Sequence, residues 1–135
     1  MYEIDLSGLA LLMAFEGDIT AVDTETALAT YGVAGALGNT AIKATIRKII
    51  VACATDGAAT GESVIWVRIR GKGGTPYDFP IGGEGGGTLA QSAAHVGNFM
   101  CYKVEIPWNG EIRAFAEMAG ADTGSVNVGV WLYGN

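Results

Sequence analysis

Side chains able to do covalent or metal chemistry are few in this chain and lie far apart. The one histidine, His95, sits among small residues in SAAHVGN. A general base needs an orienting acid and a metal site needs further nitrogen or sulfur ligands, so an unaccompanied histidine reads as a structural or surface residue. Ser63, Ser92 and Cys101 are the available nucleophiles, and no base stands at a spacing that would activate any of them. The glycine run offers no phosphate cradle: GKGGT at 71–75 has its lysine in the wrong place and GGEGGG at 82–87 neither leaves a strand nor opens a helix. Oxygen ligands near turns are the material of a calcium site, namely Asp18 with Asp23 and Glu25, Asp56 with Glu62, and Asp122 with Asn127. None has the twelve-residue loop pattern, and solvated turn carboxylates are the favoured reading. The expectation is no enzyme, no cofactor and no metal.

Contact chemistry is better represented. In SVIWVRIRG the side chains of Trp66, Arg68 and Arg70 share one face of a strand. An aromatic beside two guanidinium groups is enriched where proteins meet, though Trp66 packed beneath a loop and covered by arginine stems would give the same pattern. Residues 1–42 hold six acids and no base, residues 43–72 six bases against two acids, and the remainder six acids and two bases. The unpaired acids of the first third are natural partners for Arg68 and Arg70, within a subunit or, preferably, between subunits. Packaged nucleic acid is an alternative partner for that row, opposed by the net charge of −6. Leu9, Leu11, Leu12 and Phe15, in the uncharged stretch GLALLMAF, are further interface candidates. A different use of aromatics is a ligand platform from Tyr77, Phe79, Trp108, Trp131 and Tyr133, with Asp78 or Asn109 as polar contacts, as in a carbohydrate-binding module.

The elements that must position these residues are strands. Ile65, Val67 and Ile69 point opposite to the Trp66 row. In AIKATIRKIIVACA at 41–54, Ile42, Ala44, Ile46, Ile50 and Ala52 share one parity, which Lys48 interrupts, and IIVACA reads as buried on both faces. The last third alternates in Met100, Tyr102, Val104 and Ile106, then Ile112, Ala114 and Ala116, then Val126, Val128, Val130 and Leu132. Asn109-Gly110 and Asp122-Thr123-Gly124-Ser125 are turn signals between these runs, so the three strands read as a consecutive meander. EIRAFAEMA at 111–119 also has helix propensity, but turns on both sides favour strand. GLALLMAF fits a buried strand, a short packed helix or an arm on a neighbouring subunit, and Thr24–Ala29 fits one or two helical turns.

The chain is 50% apolar, which excludes disorder, and has no apolar run near the length of a membrane span and no visible secretion signal. Its 21 glycines lack a period of three and mark turns. Cys53 and Cys101 fit either one bridge or two buried thiols. Together these describe an all-β chain folded as an antiparallel β-sandwich, with an N-terminal arm or helical segment at 1–40 and a sandwich body at 41–135. From Ala41 onward, strands around TDGAATGES, a long loop rich in glycine and a closing SVNVGVWLYG resemble small single jelly-roll proteins that build or decorate virus and phage capsids. That resemblance implies a structural, self-assembling homo-oligomer located in a virion, alone or with other structural proteins, and no catalytic residues.

Overall fold

The computed structural model describes residues 4–21, 23–30, 41–55, 61–71, 76–81, 89–91, 97–120 and 126–135. Among these residues ten strands follow in chain order: β1 (Ala10–Ile19), β2 (Thr26–Ala27), β3 (Ala29–Thr30), β4 (Ala41–Thr55), β5 (Gly61–Arg70), β6 (Tyr77–Ile81), β7 (Leu89–Gln91), β8 (Gly97–Glu111), β9 (Arg113–Gly120) and β10 (Val126–Gly134). They form two antiparallel sheets. The first has the order β3-β1-β10-β4-β8 and the second β2-β9-β5-β6, with β7 also pairing β5. In this jelly-roll order the first long strand lies beside the last, and the chain passes repeatedly from one sheet to the other.

The core lies between the sheets and follows the alternation expected from the sequence. Ile65, Val67 and Ile69 of β5, Ala114, Ala116 and Met118 of β9, and Val126, Val128, Val130 and Leu132 of β10 are all buried. Tyr102 of β8 reaches across from the first sheet. Its ring packs on Phe79 of β6 with centroids 5.3 Å apart, and its hydroxyl donates to the Pro80 carbonyl at 2.5 Å.

Four expectations are corrected. The last three strands do not form a meander: β8 pairs β4, β9 pairs β5 and β2, and β10 pairs β1 and β4. Asn109-Gly110 lies inside β8, where Gly110 takes φ 123°. The chain then crosses to the other sheet around Ile112, which is fully buried. An alternating pattern names the inward face of a strand and not its neighbour, so hairpin and crossover look alike in sequence. Second, β4 changes parity: a bulge between Ile46 and Lys48 turns Ile49, Val51 and Cys53 inward, leaving Ile50 and Ala52 half-exposed on the outer face. The extra residue at Arg47 keeps the Lys48 ammonium out of the core. Third, Thr24–Ala29 carries no helical turn, since β2 and β3 pair there with β9 and β1. Fourth, the boundary at residue 40 does not follow the pairing. GLALLMAF enters β1, an inner strand of the first sheet that buries Met13 and Phe15, so this part of the supposed arm belongs to the sandwich.

Neither Cys53 nor Cys101 is in a disulfide. They occupy neighbouring strands, but Cys53 is opposite Asn98 on the inward parity and Cys101 opposite Ile50 on the outward one, so no bridge can join them.

Two outcomes follow. Deleting residues 1–16 removes most of β1 with Met13 and Phe15, and the truncated chain should lose its cooperative unfolding transition in circular dichroism instead of persisting as a smaller sandwich. Burial pushes the Tyr102 phenol above its ordinary value. The neutral form is therefore favoured by folding, and this stability is fully present below about pH 10 and is lost as pH rises through the folded value. Tyr102→Phe should cost about 1 kcal/mol at neutral pH through the lost hydrogen bond and should flatten the alkaline loss of stability, both read from urea titrations.

Candidate functional site

Two outward surfaces carry the side chains of interest. On the second sheet, Trp66, Arg68 and Arg70 project together from β5 and are half-buried. Arg68 donates through Nε and Nη2 to the two oxygens of Asp78 at 2.7 and 3.1 Å, and through Nη1 to Glu25 at 2.9 Å. Arg70 donates through Nη2 to the other Glu25 oxygen at 2.7 Å, and its guanidinium carbon stands 4.0 Å from the centroid of the Phe115 ring. The hydrogen bond to Asp78, foremost, raises the Arg68 pKa despite the opposing effect of burial, so Arg68 stays charged throughout the accessible pH range. The expected meeting of this row with the acidic first third therefore occurs inside the chain, where Glu25 spans both arginines. Trp66 lies between Pro80 on β6 and Glu117 on β9.

On the first sheet, successive cross-strand rungs of the outward face are Asp18-Asn127-Ala54, Glu16-Gly129-Ala52-Phe99 and Ala14-Trp131-Ile50-Cys101. Tyr133, Lys48 and Lys103 form the next rung. Its middle is apolar, and Phe99 is 43% exposed. The Trp131 ring folds back over Gly129, where a Cβ would meet Cη2 at 2.6 Å. A cavity of about 370 Å³ opens beside it, bounded by Trp131, Gly129, Ala52, Ala54, Asn127 and Glu16. The Asn127 amide donates to Asp18 at 2.9 Å and to Glu16 at 3.3 Å. At the diagonal corner, Lys48 Nζ donates to the Asp5 carbonyl, and Arg47 pairs with Glu105 at 3.2 Å. The Asp5 carboxylate has its pKa lowered by hydrogen bonds from Ser7, first from the side chain and then from the backbone amide.

The structure disperses the other candidates. Phe15 is in the core, Leu12 packs against the core, Leu11 is half-buried, and the half-buried Leu9 lines a groove with Lys48 and Lys103. Of the aromatic platform, Phe79 is buried in the core. The Trp108 indole packs against the core, stands 6.2 Å from the exposed Tyr77 ring, and donates Nε1–H to the Glu111 carbonyl at 2.9 Å. Trp131 and Tyr133 share the outer face of the first sheet, so the five aromatics do not make one row. Asp18 bonds Asn127 while Glu25 bonds the arginines, which separates two acids of the first calcium set. Among the described residues no group of three His, Cys, Asp or Glu gathers as a metal site, and no helix is long and apolar enough to cross a membrane. His95, Ser92, Asp56, Asp122 and both glycine motifs beyond Gly71 lie outside the described residues.

Sequence reasoning missed the grouping of Glu16, Asp18, Asn127 and Trp131. Its signal was present in two same-parity pairs, Glu16 with Asp18 and Asn127 with Trp131, but only the pairing of β1 with β10 brings them together.

No family model and no curated protein matches the sequence. Solved structures match its fold. The chain resembles the PRD1 vertex protein P5 with a TM-score of 0.50 and 10% identity, over 93% of this chain and 99% of that one. It resembles the globular domain of the zebrafish complement 1qA protein with a TM-score of 0.50 and 6% identity, over 90% of this chain and 96% of that one. The infectious bursal disease virus Gx strain structure aligns with a TM-score of 0.44 and 10% identity, over 93% of this chain and 36% of that one. The first two likenesses show a shared β-sandwich fold and say nothing of activity.

Arg68→Ala leaves Asp78 without its bidentate partner and Glu25 with only Arg70. It should cost about 1–2 kcal/mol in urea unfolding, with the difference from the parent shrinking as salt is added.

Proposed function

We propose that this chain is a structural subunit that acts by packing against other subunits, as a virion capsid or decoration protein, and that it is not an enzyme. The observation that carries this reading is the outward face of the first sheet. A free-standing antiparallel sheet normally turns polar residues to water, whereas this one presents Trp131, Ile50, Ala52, Phe99 and Cys101 between charged corners. The fold is compatible with that role, since the PRD1 vertex protein P5 shares it. The complement domain shares it as well, so the virion setting rests on the capsid resemblance of the sequence and not on the fold. Arg68 and Arg70 are already satisfied by Glu25 and Asp78, which favours a protein partner over packaged nucleic acid.

A second reading, binding of a carbohydrate, is supported by the cavity beside Trp131, where an indole adjoins the Glu16 carboxylate and the Asn127 amide. Sedimentation velocity over a concentration series into the hundreds of micromolar separates the two. Self-association that grows with concentration is expected, without retention of added DNA or RNA. A monomer throughout, combined with glycan binding that is lost in Trp131→Ala, would replace assembly by the second reading.

A further inference from the structure

We infer that the outer face of the first sheet pairs with the same face of a second copy, about a two-fold axis lying in the interface plane, and that Lys103 of each copy enters the Glu16–Asp18 corner of the other. This rests on the assembly reading and specifies its surface and symmetry. The face carries its own complement. At one corner, Glu16 and Asp18 share the Asn127 amide and have no cation within ion-pair distance among the described residues. At the opposite corner Arg47 is neutralised by Glu105 and Lys48 is held by the Asp5 carbonyl. Lys103 is exposed and has no carboxylate partner among the described residues.

The register gives the geometry. The acidic corner is on β1 and Lys103 is on β8, three strands away in the sheet order. That is about 14 Å across the strands and about 17 Å along them, or roughly 22 Å on the diagonal. A two-fold axis perpendicular to this diagonal and through its midpoint exchanges the two corners, so each acidic pair faces a lysine at both ends of the interface. An axis along the diagonal would instead set acid against acid, which repulsion forbids. The chosen axis passes close to Trp131, bringing the apolar middle of one copy onto that of the other. The patch covers on the order of 400 Å² per copy, about half the area of a standard specific interface, so a single pair should associate weakly and lose affinity in salt.

Sedimentation equilibrium on the full chain tests this with K103E, the double variant E16K/D18K, and all three changes together, each checked for native circular dichroism. K103E alone and E16K/D18K alone should each associate at least about tenfold more weakly than the parent. Mixed, they should associate with each other, because one copy then presents acid at both corners and the other base at both. The triple variant, its corners exchanged, should regain association. Gly129→Ala, which pushes the Trp131 ring off its seat, should weaken association without changing the charge pattern. Parent-like association in both charge variants would overturn this face while leaving self-assembly intact. Loss in both without recovery in the mixture or the triple variant would overturn the two-fold arrangement. A parent chain monomeric at every concentration would overturn the assembly reading and this surface with it.

Discussion

The first sheet depends on β10 being hydrogen-bonded along both edges, to β1 on one side and β4 on the other. A strand near the end of the chain thus closes a sheet begun by its first long strand. Neither neighbour can substitute for it, because β1 and β4 have no direct ladder between them. Nearly all pairing in this sandwich is long-range in sequence, so loop-closure entropy must be met before the ladders form, as in other β-sandwiches that fold slowly. Close approach at the end of β10 is part of the same constraint. A Cβ on Gly134 would fall on the Thr45 carbonyl, and Asn135 exchanges both backbone hydrogen bonds with Thr45.

Around that strand the sandwich separates two kinds of polar work. The second sheet satisfies its arginine row internally: Glu25 and Asp78 neutralise Arg68 and Arg70 and tie the segment beside β2 to β5 and β6. Half-exposed pairs of this sort contribute modestly, and their value lies in a network that fixes a short edge strand where backbone pairing alone is sparse. The first sheet leaves Glu16, Asp18 and Lys103 without opposite charges among the described residues, beside apolar side chains that face outward. The outward charges of the two sheets therefore differ: the second pairs its arginine row internally, and the first leaves Glu16, Asp18 and Lys103 without ion pairs among the described residues.

The resemblance of the fold to both a viral vertex protein and a complement domain shows how little the architecture alone says about role. In the assembly we propose, the role is carried by what the outward positions of the first sheet present and not by the architecture.

The sequence by itself determined which side chains turn inward. Alternation over 112–116 and 126–132 identified buried residues, and over 100–106 it identified buried Ile106 and the half-buried Met100, Tyr102 and Val104 that pack against the core, because a strand's pleat has period two and water penalises an apolar face left in solvent. It also made the arginine row and the acidic first third complementary in charge. Only the tertiary structure decided who neighbours whom. Backbone ladders are nearly the same for any side chains, so nothing local distinguishes a hairpin at Asn109-Gly110 from a crossover between sheets, or reveals that Glu16 and Asp18 flank Asn127 from the far end of the chain. The bulge at Arg47 belongs to the same category. The alternation of 41–54 is broken at Lys48, but whether a strand resolves that conflict by burying a charge, by ending or by inserting a residue depends on the partner strand against which it must stay in register.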